Sequence, residues 1–305
     1  MMKIGLTYLY VIFKCGYPHS VRDTLTVLPE IQKLGFHYLE IEGLGPSHLL
    51  SLNKDRRAVR DALDNCGLHV HNFCVIDPDL VSGDTARRKK AIDRFKIGAE
   101  LGDFLQAETL HLASYAPPVR YLGAKPYQLG KSKKYGFPGQ AQIQVPRGFK
   151  WQPVWKALVD STRECADIAA KHGKTVLMEP RVGEVICSPD SLLRLIEHVD
   201  RPNFKANFDT GHFSAQRENV VLALEKLRGQ FANIHVADNN PIDTEHLPLG
   251  DGLIDWKEFF RVLKGMNYDG YLGLDMGSNG LVNGYRKSVA RIRSIAADLK
   301  FTVEV

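Results

Sequence analysis

The sequence predicts an α/β protein of the (β/α)8 class, a TIM barrel with a long insertion after the fourth strand. Three observations carry the prediction. Short β-branched or apolar runs alternate with longer helix-periodic stretches along the whole chain, the pattern of βα units around a parallel sheet. The helix-to-strand junction repeats, in NCGLH, ELGDF and KHGKT, each with the glycine that stops a helix. Eight such units fit within 305 residues, as one domain over 1–305. A doubly wound sheet is the rival, but no GxGxxG follows the first strand.

The expected strands run over 3–9 (KIGLTYL), 37–43 (HYLEIEG), 68–75 (LHVHNFCV), 108–114 (ETLHLAS), 175–180 (TVLMEP), 205–209 (KANFD), 233–238 (NIHVAD) and 270–276 (GYLGLDM). Stretches such as LLRLIEHV and VLALEKLRG supply helices between them. Residues 116–150 break the alternation: they are rich in Pro, Gly, Lys and aromatics and carry no periodicity. A loop that long is usually functional or disordered, and Tyr121, Tyr127, Tyr135 and Phe137 argue against simple disorder. Placed after the fourth strand, it lies over the barrel mouth as a lid, a pocket wall or a partner surface.

Composition narrows the function classes. At 44% hydrophobic and 25% charged the chain is ordinary globular protein. Its net charge of +5 is mild and its basic residues are spread, so no nucleic-acid partner is indicated. No run approaches the roughly 18 apolar residues of a membrane span. The start, MMKIGLTYLYVIFK, places Lys14 where a signal peptide would have a small-residue cleavage site. Cys15, Cys66, Cys74, Cys165 and Cys187 are odd in number and lack CxxC spacing, which suits buried thiols of a reducing compartment. The expectation is a soluble, cytoplasmic protein.

The stretch FKANFDTGHFS at 204–214 raises the functional question. A buried strand that ends in Asp209, with His212 three positions on, needs a reason, because a buried unpaired charge is costly. Asp209 either caps the next helix or belongs to a metal or acid–base site. The neighbouring strands favour the second. The fifth ends in Glu179, the seventh carries His235 and the eighth carries Asp275, all at the C-terminal rim where barrels keep their chemistry. Three carboxylates and an imidazole suit a divalent metal, Mn²⁺ before Co²⁺, Zn²⁺ or Mg²⁺. His212 beside Asp209 would hold substrate or shuttle a proton.

Together, MEPR, FDTGH, HVADNN, LPLGDGLIDW and GYLGLD resemble the xylose-isomerase-like TIM-barrel superfamily, of the sugar phosphate isomerase/epimerase type. The resemblance spans nearly the whole chain apart from 116–150. It implies Glu179, Asp209, His235 and Asp275 as metal ligands and Arg181 and His212 as substrate contacts. It places His246, in EHLPLGDG, in a family loop near the metal; a plain surface loop is the other reading. Repair endonucleases that share the fold use a His-rich trinuclear zinc cluster, whose ligand redundancy is missing here.

One departure matters. Sugar epimerases of this family usually present Glu from the eighth strand, and Asp275 is one methylene shorter. That suits ligation better than proton transfer, so the base falls to a histidine near the rim. His111 on the fourth strand stands ahead of His71 on the third, with His212 as a further candidate. Each of His71 and His111 also reads as a histidine satisfied inside the barrel wall. Glu42 is either a turn residue or a binder of substrate hydroxyls. Tyr8 and Tyr10 read as packing, and Asp238 as a group that orients a neighbour.

The chemistry implied is removal of the proton next to a keto-sugar carbonyl. Reprotonation then gives isomerisation or epimerisation, while a leaving group β to the carbonyl is expelled. The short Asp275 and the aromatic insertion favour expulsion. Both features resemble the catalytic (alpha) subunit of C-glycoside deglycosidases, which implies a lyase acting on 3-keto glycosides beside a small β-rich subunit. The alternatives are an aldose–ketose isomerase or ketose 3-epimerase working through the same enediolate, and a homo-oligomer in place of a second subunit.

Overall fold

Alternation along each strand divides the protein into an apolar outer layer and a polar interior. The computed structural model describes residues 1–123, 141–240, 244–277 and 281–305. Its main sheet contains β1 (Met2–Leu6), β2 (Tyr38–Gly43), β3 (His69–Val75), β4 (Thr109–Ala113), β5 (Thr175–Glu179), β6 (Phe204–Asp209), β7 (Phe231–Val236) and β8 (Tyr271–Leu274). All pair in parallel, and β8 returns to β1 with Leu272 opposite Ile4, so the sheet closes into an eight-stranded barrel. A short β9 (Val303–Glu304) pairs with Met2 and Lys3 where the start of β1 parts from β2.

Leu39 and Ile41, Leu110 and Leu112, Val176 and Met178, and Ile234 and Val236 are all buried and pack toward the helices. Residues between them turn into the barrel. Helix starts follow the sequence: Ser20 and Asp23 form a reciprocal capping box, and Ser188 caps a helix with Pro189 in its first turn. No helix among the described residues is long and apolar enough to cross a membrane. All five cysteines are free, with Cys66, Cys74 and Cys165 buried and Cys15 and Cys187 half-buried.

Three departures from the sequence reading have physical causes. The first strand stops at Leu6, and LYVIFKC forms a helix, Leu9–Cys15. A continuous apolar run does not distinguish strand from buried helix. Tyr8 and Tyr10 are fully buried there; Tyr8 Oη bonds Thr24 Oγ1 at 2.6 Å, and Tyr10 Oη donates to Glu30 Oε1 at 2.5 Å. Second, the pairing of β2 with β3 steps by one residue at Leu39/Glu40, so His71 is an extra residue and both it and Asn72 meet interior groups. Third, within the 116–150 insertion Arg120–Tyr121 pairs antiparallel with Ile143–Gln144. Tyr127, Tyr135 and Phe137 lie outside the described residues.

Candidate metal and acid–base site

The inward-facing residues at the C-terminal ends of β5, β6 and β7 meet over the barrel axis. Asp209 splits its two oxygens. Oδ1 accepts the His212 backbone N–H at 2.7 Å and caps the helix Thr210–Ala215. Oδ2 is buried without a hydrogen-bond partner among the described residues and lies 3.6 Å from His235 Nδ1. Capping and a site-facing position therefore belong to different oxygens of one carboxylate.

Glu179 Oε1 lies 2.8 Å from His235 Nδ1 and accepts Asn207 Nδ2 at 3.3 Å, while Oε2 accepts Arg181 Nε at 2.7 Å. Glu179, Asp209 and His235 each offer a donor atom within 4.8 Å of the others. Two carboxylates and an imidazole, all buried, with one oxygen lacking any proton donor, fit a divalent cation. Burial works against charge on Glu179, yet Arg181 and His235 hold its carboxyl well below the usual range. Burial likewise works against a charged His235, but Glu40, Asp209 and Glu179 outweigh it and raise the imidazole.

Asp275 faces the same cavity, of about 490 Å³. Its Oδ1 accepts Thr7 Oγ1 at 2.6 Å, and its Oδ2 lies 2.9 Å from His246 Nδ1. His246 is buried, holds a left-handed backbone (φ 50°) and also reaches the Asp275 carbonyl at 2.8 Å. The loop behind it is pinned by Asp238, which accepts from Gly250 N, Ile254 N and Trp256 Nε1. A Cβ on Gly252 would stand 2.4 Å from Asp238 Oδ1, so the LPLGDGLIDW loop requires glycine there.

His111, Glu42, Arg181 and His212 line the cavity as well. His111 Nε2 is buried without a hydrogen-bond partner among the described residues and lies 3.9 Å from Glu179 Oε1. Burial, with Glu40 adding to it, pushes the Glu42 carboxyl up to about 8. Burial lowers His212 to about 4. Arg181 is drawn onto Glu179 and so lies beside the proposed ligands. His71 is elsewhere, below the cavity: its ring stacks on Tyr271, at the opposite end of β8, with centroids 4.6 Å apart. Gly5 makes room for it, since a Cβ there would sit 3.1 Å from His71 Nε2.

A further buried carboxylate, Glu40, has no role in the sequence pattern set out above. It is fully buried, accepts Asn72 Nδ2 and lies 3.1 Å from His235 Nε2. Period-2 alternation in YLEIEG would have placed it on the same inward face as Glu42. Leu9, Ile12, Tyr17, Ile76 and Pro78 add an apolar part to the cavity lining.

These features describe a parallel barrel with a carboxylate–imidazole group at its C-terminal mouth. The chain belongs to the xylose isomerase-like TIM barrel family, which matches residues 28–295. It is 25% identical over 252 residues to the L-ribulose-5-phosphate 3-epimerase UlaE of Escherichia coli (strain SMS-3-5 / SECEC), covering 81% of this chain and 80% of that protein. It is 26% identical over 154 residues to the inosose dehydratase of Geobacillus thermodenitrificans (strain NG80-2), a match to 43% of this chain and 51% of that one. The crystal structure of 3-keto-D-glucoside 4-epimerase, YcjR, from E. coli shares the fold, with a TM-score of 0.72, 20% identity and coverage of 96% of this chain and 100% of that one.

Proposed function

We propose that this protein is a divalent-metal-dependent enzyme acting on a keto-sugar. In this reading it removes the proton next to the carbonyl and expels a group β to it, as a lyase of the C-glycoside deglycosidase type does with 3-keto glycosides. Glu179, Asp209 and His235 would hold the ion, and Asp275, set by Thr7 and His246 in the same cavity but outside that group of donor atoms, would close the set as a fourth ligand. Bound there, Mn²⁺, or else Co²⁺, Zn²⁺ or Mg²⁺, supplies Lewis acidity that makes the neighbouring C–H acidic. His111 takes the proton through Nε2, which faces the cavity. Glu42, protonated near neutral pH, donates to a substrate hydroxyl, while Arg181 and His212 contact the sugar. The C–H electron pair becomes the new double bond, the leaving group departs with its own bonding pair, and His111, which now carries the proton taken from the sugar, returns it to the leaving carbon to give the free aglycone; Leu9, Ile12, Tyr17, Ile76 and Pro78 offer that aglycone an apolar lining.

The observation that carries elimination over epimerisation is Asp275, whose two oxygens are engaged by Thr7 and His246. A two-base epimerase needs a free carboxylate from that strand. The epimerase reading keeps a specific support of its own: UlaE and YcjR are both epimerases by name, and YcjR is named for a 3-keto-D-glucoside. The inosose dehydratase, by its name, supports elimination. The 116–150 insertion serves in this account as a lid or as the surface for a small second subunit or another copy of the chain. The free thiols suit the cytoplasm. Incubating Mn²⁺-loaded protein with a 3-keto C-glycoside and separating the products decides between the two. Free aglycone is expected; an epimerised glycoside with the aglycone still attached would replace the lyase by the epimerase.

A further inference from the structure

Behind the proposed ligands lies a carboxylate that the chemistry above does not use. Glu40 sits mid-strand on β2 with its side chain fully buried. Its Oε2 lies 3.1 Å from His235 Nε2 and 3.5 Å from His111 Nδ1, and it accepts Asn72 Nδ2. A buried carboxylate is costly unless hydrogen-bonded and paired, and here groups from β3, β4 and β7 converge on one of its oxygens. The His235 ring is thereby divided. Nε2 points at Glu40, while Nδ1 faces Glu179 Oε1 at 2.8 Å and Asp209 Oδ2 at 3.6 Å.

We infer that Glu40 is a positioning residue that fixes the His235 tautomer: it accepts the Nε2–H, leaving the Nδ1 lone pair aimed at the side of Glu179 and Asp209. The inference rests on the reading of those residues as ligands but makes a separate claim about Glu40. An imidazole that binds metal through one nitrogen and donates from the other to a carboxylate is both more basic and held in orientation.

The rival is a second ion held by Glu40, His111 and His235, whose donor atoms also fall within 4.8 Å of one another. Asn72 argues against it. Its Nδ2 donates to the Glu40 oxygen that faces both rings, so an amide hydrogen already occupies the oxygen that such an ion would need. Thr109 Oγ1, 2.8 Å from Asn72 Oδ1, fixes that amide orientation.

The test measures Zn²⁺ stoichiometry and affinity by competition with a chelator, together with the His235 tautomer by long-range ¹H–¹⁵N NMR on the Zn²⁺-loaded protein. Wild type should bind one ion with His235 as the Nε2–H form. Glu40→Gln should keep one ion per chain at roughly 10–100-fold weaker affinity, with a mixed tautomer signal and an unchanged circular dichroism spectrum. An Nδ1–H tautomer in wild type would overturn the inference without any variant. So would unchanged affinity and tautomer in Glu40→Gln, or two ions in wild type with one lost in the variant. Absence of ion binding by wild type would remove the ligand reading and this inference with it.

Discussion

Both ends of the barrel are lined with charged and aromatic side chains, but they are connected differently. At the N-terminal end Lys3 Nζ donates to Tyr271 Oη at 3.1 Å, Tyr38 Oη donates to Glu304 Oε1 at 2.8 Å, and Glu108 Oε1 takes both His69 Nε2, at 2.9 Å, and Tyr271 Oη. Lys3 also sits 4.7 Å from the Tyr271 ring centre. These groups answer one another, and several are half-exposed. At the C-terminal end Asp209 Oδ2 and His111 Nε2 are buried without hydrogen-bond partners among the described residues. Polar density is common to the two ends. His71, stacked on Tyr271, also keeps both ring nitrogens without a hydrogen-bond partner among the described residues. What separates the ends is that at the mouth the unmet atoms include a carboxylate oxygen grouped with other metal-ligating side chains, and buried polar atoms are nearly always satisfied unless something else fills the need.

The comparison breaks first if the ligand set is wrong. Glu179→Ala, Asp209→Ala and His235→Ala should each abolish divalent-metal binding while the far-UV circular dichroism spectrum stays that of the barrel. The loss should exceed the roughly 10–100-fold expected of outer partners. Stoichiometric ion in Asp209→Ala, measured by atomic absorption after desalting, would contradict the assignment.

His111→Gln tests the other unmet atom. Turnover should fall about 10²–10⁴-fold, the usual loss for a general base, with metal stoichiometry unchanged. Steady-state assay and ion titration on one preparation give both numbers. A variant that lost metal and activity in parallel would make His111 a ligand.

The smallest effect belongs to the opposite end. The hydrogen bond from His69 is the main reason the Glu108 carboxyl falls to about 2, with Tyr271 adding to it against partial burial. A depressed carboxylate contributes stability above its unfolded value of roughly 4.3 and loses it as pH drops toward 2. Glu108→Gln should flatten that part of the acid-unfolding curve followed by urea titration. Near pH 7 it should cost only about 0–1 kcal/mol, because the group is half in water. Metal affinity should not change; a change would mean that the two ends are coupled through the interior.

How much of this was legible in the sequence follows from what periodicity encodes. The eight strands were readable because each is a short apolar alternation closed by turn or helix-stop residues. β1 was overrun because YLYVIF runs on without alternation, and only packing makes that part a helix. Glu179, Asp209 and His235 stood out at strand ends, and the structure gathers them. Glu40 did not, because it lies mid-strand and not at the rim, although the alternation in YLEIEG puts it on the inward face with Glu42. His71 was expected near the rim, and a one-residue register step that no local pattern announces accompanies its place beside Tyr271. The hold of Thr7 and His246 on Asp275 joins segments 268 and 29 residues apart, a relation that closure of the barrel creates.

The role assigned to the unmet donors and acceptors at the C-terminal mouth is to take a proton from carbon. It is tested most directly by following, in D₂O, the proton next to the carbonyl of a 3-keto C-glycoside by NMR with metal-loaded protein. This proton should be lost in step with turnover, and loss and turnover should fall together in His111→Gln. Turnover of that substrate with the proton fully retained would contradict it.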